Sequence, residues 1–165
     1  MKHFLVLVLV LLTTNLVVAQ DTLSDLLKRY NTMSVPYITV QELAMPNTNL
    51  ILLDARELEE YKVSHLKNAS YVGYQDFNIE LFETEHPEKD SPFVVYCSLG
   101  IRSETIAEKL KKAGYENVYN LYGGIFEWKN NAFPIVNSRE KETDSIHAFS
   151  KLWGKWLYKG IKVYH

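Results

Sequence analysis

The sequence predicts an α/β domain built on a mainly parallel sheet. Two observations carry that prediction. Five short strand-like runs alternate with segments of helical spacing, an order that lays strands side by side with helices packed over them. The second and fourth runs are continuously apolar, as expected for strands covered on both faces. A chain of 165 residues, 47% of them hydrophobic, suits one domain of this kind with an ordinary core. A formal net charge of -2 gives no case for a nucleic-acid binder, which shows a basic surplus.

Residues 1–19 read as a leader rather than as fold. Lys2 gives a short positive start, Phe4 to Leu12 is an unbroken apolar run, and Val17-Val18-Ala19 supplies small residues for cleavage after Ala19. The interruption at Thr13-Thr14-Asn15 leaves the run short for a membrane anchor. The expectation is a cleaved secretory signal and a periplasmic or secreted product. The periplasm is the better guess, because a reducing partner there keeps an unpaired thiol usable. No cysteine lies near the cleavage site, which excludes lipid attachment there.

Residues 20–34 come next. Leu23, Leu26, Leu27, Tyr30 and Met33 recur at helical spacing, so Asp21 to Met33 predicts a short amphipathic helix. The domain proper is expected over 35–136. Its strand candidates are Tyr37–Thr39, Leu50–Leu53, Ser70–Val72, Phe93–Tyr96 and Val118–Leu121. Helical segments between and after them are Val40–Ala44, Glu57–Ser64, Phe77–Glu85, Ser103–Ala113 and Gly124–Asn130. Gly114 sits where a helix stop belongs. Residues 137–165 form an extension. Ser138 to Asp144 is charged and linker-like, and Ile146, Phe149, Leu152, Trp153, Trp156 and Leu157 fit one face of a helix. That amphipathic helix is expected to fold back onto the domain. A membrane surface or a partner is the other way to cover it.

Chemistry concentrates at Cys97, the only cysteine. Exported chains commonly use cysteines in pairs, and this one has no partner within the chain. It is a small buried hydrophobe, an intermolecular link or a reactive thiol. Its position bears on the choice: ligands of parallel sheets bind beyond the carboxyl ends of the strands, and both Asp54 and Cys97 follow strand candidates. If Ser98, Leu99, Gly100, Ile101, Arg102 and Ser103 curl around the sulfur, their amides form an anion-binding nest. The helix that starts near Ser103 points its positive end the same way. Gly100 permits a tight turn, and Arg102 adds a fixed charge. All of these favour thiolate over thiol and give an activated nucleophile.

The stretch Cys97-Ser98-Leu99-Gly100-Ile101-Arg102-Ser103 resembles the active-site loop of rhodanese-like domains, often Cys-Arg-x-Gly-x-Arg-Ser. Leu53-Asp54-Ala55-Arg56, followed by Glu60-Tyr61 and Ser64-His65-Leu66-Lys67-Asn68-Ala69, is similar to that family's upstream motif. Leu121-Tyr122-Gly123-Gly124-Ile125-Phe126-Glu127-Trp128 is similar to its closing Gly-Gly-x-x-x-Trp motif. The resemblance implies a five-stranded parallel sheet with helices on both faces, and a sulfurtransferase. No cofactor is expected, and no metal, since the chain has no second cysteine and His3, His86, His147 and His165 show no ligand spacing. It implies that the Cys97 thiolate takes the outer sulfur of a donor such as thiosulfate and passes it to cyanide or a thiol, which in a periplasm includes a thiol protein. It implies a buttressing role for Asp54 and Arg56 and a structural one for His65. Gly123 and Gly124 are expected to make a tight turn, and Trp128 to fill core.

The loop also departs from the family pattern. Ser98 stands where many members carry a basic residue, and Leu99 and Ile101 make the mouth more apolar. That weakens the case for thiosulfate as the best donor and allows a larger or less charged one. Four residues separate Cys97 from Arg102, one fewer than in related Cys-Arg phosphatases, so the cradle is tight for a phosphate or arsenate. A non-catalytic binding module is the remaining alternative. It needs neither Cys97 nor Arg102.

Overall fold

The computed structural model describes residues 21–46 and 49–164. The expected leader and its cleavage site lie outside the described residues. The chain runs α1 (Leu23–Tyr30), β1 (Tyr37–Ile38), α2 (Val40–Leu43), β2 (Ile51–Asp54), α3 (Leu58–Val63), β3 (Ser70–Tyr71), α4 (Ile79–Glu85) and β4 (Phe93–Tyr96). It continues through α5 (Arg102–Lys112), β5 (Val118–Leu121), α6 (Gly124–Asn130), β6 (Ile135–Val136), β7 (Glu142–Thr143), β8 (Ser145–His147), α7 (Lys151–Gly154) and β9 (Ile161–Val163). Each of the five expected strands is present, shifted by no more than a residue or two at its ends.

These five form one sheet in the order β1-β5-β4-β2-β3, and every pairing in it is parallel. β4 lies at the centre and all four of its residues are buried, which is why its sequence is apolar without alternation. One side of the sheet packs Phe93, Val95 and Leu53 against Ile106, Leu110 and Phe82. The other packs Val94, Tyr96 and Leu121 against Leu26, Ile125 and Phe126. α1 thus belongs to the core: Leu26 and Leu27 are buried, and Thr22 caps the helix by accepting the Asp25 amide at 3.1 Å.

The extension corrects the sequence reading. It is not one amphipathic helix. Glu142–Thr143, expected as linker, pairs antiparallel with Ile135–Val136. Ser145–His147 and Ile161–Val163 pair parallel, with only the four-residue α7 between them. The helical spacing of Ile146, Phe149 and Trp153 is misleading because Ile146 sits in a strand, buried between two partly buried neighbours. Ser150 then starts a new helix, its side chain accepting the Trp153 amide. The extension does fold back: Ile146, Ala148, Trp156 and Leu157 are buried in the same cluster as Val94 and Leu121. Trp128 is only half-buried, and its Nε1 donates to the Pro134 carbonyl at 2.9 Å.

Candidate active site

β4 delivers Cys97 to the carboxyl edge of the sheet. The Ala55 amide donates to the Tyr96 carbonyl at 2.8 Å, so the exits of β2 and β4 stay in register. The next residues curl. The Gly100 amide donates to the Cys97 Sγ at 3.1 Å, and the Ser103 hydroxyl lies 3.5 Å from it. Gly100 takes φ +97°, in the left-handed region that glycine tolerates. Its carbonyl accepts the side-chain amides of Asn31 and Asn120, each at 2.8 Å, which pins the turn.

The second wall of the loop is the start of α6. Ile125 and Phe126 amides donate to the carbonyls of Cys97 and Ser98 at 2.9 and 3.1 Å. That approach leaves no room for a side chain at Gly124, where a Cβ would stand 2.2 Å from the Cys97 carbonyl oxygen. Gly124 is therefore a close-packing requirement of the loop as well as part of a turn.

Burial pushes the Cys97 thiol up, but the Arg102 charge, the Ser103 hydroxyl and amide and the Leu99 amide outweigh it, and the net effect is a lowered pKa. The Arg102 guanidinium is not the free cation the sequence suggests. Its Nη1 and Nη2 donate to the two carboxylate oxygens of Glu60 at 2.7 and 2.8 Å. The Ser98 hydroxyl joins this pair, donating to Glu60 at 3.1 Å and accepting from Arg102 at 3.1 Å. Glu60 also accepts the Glu57 amide at 3.0 Å, so it caps α3 while it holds Arg102. Burial raises the Glu60 carboxyl, and Arg102, Arg56 and the Glu57 amide more than reverse that, leaving it below its ordinary value.

Asp54 and Arg56 form a second bidentate pair, closed at 2.6 Å with both side chains fully buried. Arg56 also donates to the Ser64 carbonyl at 2.6 Å, and its guanidinium stands 5.8 Å from the centre of the Tyr96 ring. This pair ties β2, β4 and the end of α3 together without touching the sulfur. His65 stacks on Tyr61 with ring centres 4.0 Å apart and bridges to Val136 through the backbone.

The loop therefore brings Cys97, Gly100 and Ser103 together, with Leu99 and Ile101 lining a cavity of about 180 Å³ over the sulfur. Four residues of the site have no site role in the sequence reading: Glu60, Asn120, Phe149 and Trp153, the last two forming the far wall of the cavity. Glu60 stands in a quoted motif. Asn120 is a lone polar residue in a buried strand, which was the available signal. Nothing in the spacing of Phe149 pointed to the mouth.

A parallel α/β sheet with a cysteine held by loop amides at the end of its central strand defines a class of cysteine-centred α/β domains. Within that class the chain belongs to the rhodanese-like domain family, whose description matches residues 39–131. It is 36% identical over 104 residues to the thiosulfate sulfurtransferase GlpE of Haemophilus influenzae, covering 62% of this chain and 96% of that one. It is 34% identical over 97 residues to the tRNA uridine(34) hydroxylase of Onion yellows phytoplasma, covering 56% of this chain but only 32% of that protein. Among solved structures, a rhodanese-related protein from Thermoplasma volcanium superposes with a TM-score of 0.52 at 27% identity, over 61% of this chain and 97% of that one.

Proposed function

We propose that the domain is a sulfurtransferase that carries a sulfane sulfur on Cys97. The observation behind this reading is the donor set on the sulfur, with the Gly100 amide at 3.1 Å and the Ser103 hydroxyl at 3.5 Å. The Cys97 thiolate attacks the outer sulfur of a donor such as thiosulfate. A Cys97 S–S bond forms as the donor's own S–S bond breaks, and sulfite leaves with the electron pair. The persulfide is again an anion, so the amides that favour thiolate also stabilise the intermediate. Cyanide or a thiol then attacks the outer sulfur, and Cys97 leaves as thiolate. No proton has to move in the first step, so no general base is needed.

The named relative that aligns over nearly its whole length supports the reading, as does retention of both Cys97 and Arg102. Ser98, Leu99, Gly100, Ile101, Arg102 and Ser103 are the proposed substrate-binding residues. Asp54 and Arg56 support the site from behind. The leader-like N-terminus supports a periplasmic or secreted location, with a small thiol or a thiol protein there as acceptor.

Intact mass after incubation with thiosulfate, and separately with a thiosulfonate, tests the proposal. The wild type should gain one sulfur atom, cyanide should remove it, and Cys97→Ser should gain none. No adduct with any donor would leave the non-catalytic binding module as the better account.

A further inference from the structure

The mouth of the site is less cationic and more apolar than a site for a small dianion alone requires. Its one charged lining residue, Arg102, is already engaged by both oxygens of Glu60, so the pair is close to neutral. The thiolate then carries the net charge, and a dianion approaches a site with no cation in its wall left uncommitted. Apart from Cys97 and Ser98, whose hydroxyl is taken up by Glu60 and Arg102, the rest of the wall is apolar. Leu99 and Ile101 come from the loop, and Phe149 and Trp153 from the extension beyond the family match.

Both aromatic rings are held in place. Phe149 lies over the Arg102 guanidinium at 4.9 Å and shields its face. It does so at φ +61°, a left-handed conformation that is unfavourable for a bulky side chain. Its amide donates to the His147 Nδ1 at 3.2 Å. Trp153 packs against Tyr30 in a T-shaped pair, with ring centres 5.5 Å apart. Phe149 nevertheless stays 47% exposed, so an aromatic in a strained backbone faces the cavity instead of completing a core. Cavities of roughly 150 Å³ with apolar walls accept a benzene ring, and this one offers about 180 Å³.

Resting on the sulfur-transfer reading above, we infer that Phe149 and Trp153 select a sulfane donor that carries one compact apolar group and at most one negative charge. A thiosulfonate, R–SO2–S⁻, is the simplest such donor. The Cys97 thiolate bonds to its outer sulfur, the sulfur–sulfur bond of the donor breaks, and the sulfinate R–SO2⁻ leaves with the electron pair. One anionic persulfide and one anionic sulfinate replace two anions, so charge and electrons balance.

Single-turnover persulfide formation, followed by intact mass, tests this with benzenethiosulfonate, methanethiosulfonate and thiosulfate. The first two share charge and leaving-group type and differ only in the apolar group. Their rate ratio, divided by the same ratio measured with free cysteine, should favour benzenethiosulfonate by about tenfold or more, as one well-filled apolar pocket can. Phe149→Ala and Trp153→Ala should each move the ratio toward one, and Phe149→Leu should retain part of it. A purely structural role would slow both donors alike and leave the ratio unchanged. A wild-type ratio near one overturns the inference whether or not the variants fold. If persulfide then still forms from thiosulfate, sulfur transfer stands and only the donor assignment falls. If none of the three donors yields a persulfide, both fall.

Discussion

Two arginine–carboxylate pairs stand at the carboxyl ends of neighbouring strands. Asp54–Arg56 follows β2 and is sealed, with neither side chain reaching solvent. Glu60–Arg102 sits beside the β4 exit, and Arg102 keeps 16% of its side chain exposed at the cavity. The chemistry is the same bidentate fork in both. What differs is the surroundings. The first pair turns one more donor to the Ser64 carbonyl and leaves the Arg56 Nη1 buried without a partner, and it meets neither solvent nor the sulfur, so it fixes the frame. The second borders a thiol whose ionisation depends on it. A charged pair near an active site is therefore assigned by what it faces, not by its geometry.

Breaking each pair should separate the two roles. Removing the sealed guanidinium by Arg56→Met leaves the Asp54 charge buried and unpaired. It should cost about 3–5 kcal/mol, read as a lower urea midpoint. The second large effect is steric. Gly124→Ala places a Cβ against the Cys97 carbonyl and should reduce persulfide formation by about tenfold or more, since small misplacements of reacting groups have large rate effects. Gly114→Ala is the control: it is also left-handed, at φ +91°, but nothing lies within 4 Å of the added carbon. It should cost only about 1–2 kcal/mol of backbone strain and leave the persulfide rate alone.

At the mouth the expected effects are smaller and more informative. Glu60→Gln removes the charge that offsets Arg102, so the Cys97 thiol should ionise at still lower pH and react faster with a dianionic donor. The same substitution should cost about 1.5–3 kcal/mol at neutral pH, the worth of a hydrogen bond to a charged group. An unchanged thiol profile would make Glu60–Arg102 as purely structural as Asp54–Arg56. The pH dependence has a definite sign. The folded-state value of Glu60 is depressed, so its contribution is complete above the ordinary carboxylate value of about 4.3. It is lost as pH falls below that value toward the folded-state one. The stability gap between wild type and Glu60→Gln should shrink over that acid range, measured by urea unfolding at stepped pH.

The sheet was legible in the sequence because its buried strands are bounded by polar turns and separated by helices of ordinary length. The loop was legible because Cys97, Gly100 and Arg102 are consecutive enough to be one local structure. Glu60 was not, since its partner lies forty-two positions away, and an acidic residue at the third position of a helix has a sufficient local role as a cap. The extension was misread for a physical reason. Ile146, Trp153 and Trp156 are apolar at helical spacing, but Phe149 has a left-handed backbone and Ser150 is an N-cap. Both break the period: the Ser150 cap is a local bond to the Trp153 amide, and the Phe149 ring turns to Arg102, far away in the chain.

The claim on which the mechanism depends is that the Cys97 loop holds its sulfur as an anion. The pH dependence of Cys97 alkylation by iodoacetamide, with Cys97→Ser as background, measures it directly because the chain has no second thiol. A midpoint clearly below the free-thiol value of about 8.5, moving upward in Arg102→Gln, is the predicted result. A midpoint at or above that value in the wild type would contradict it.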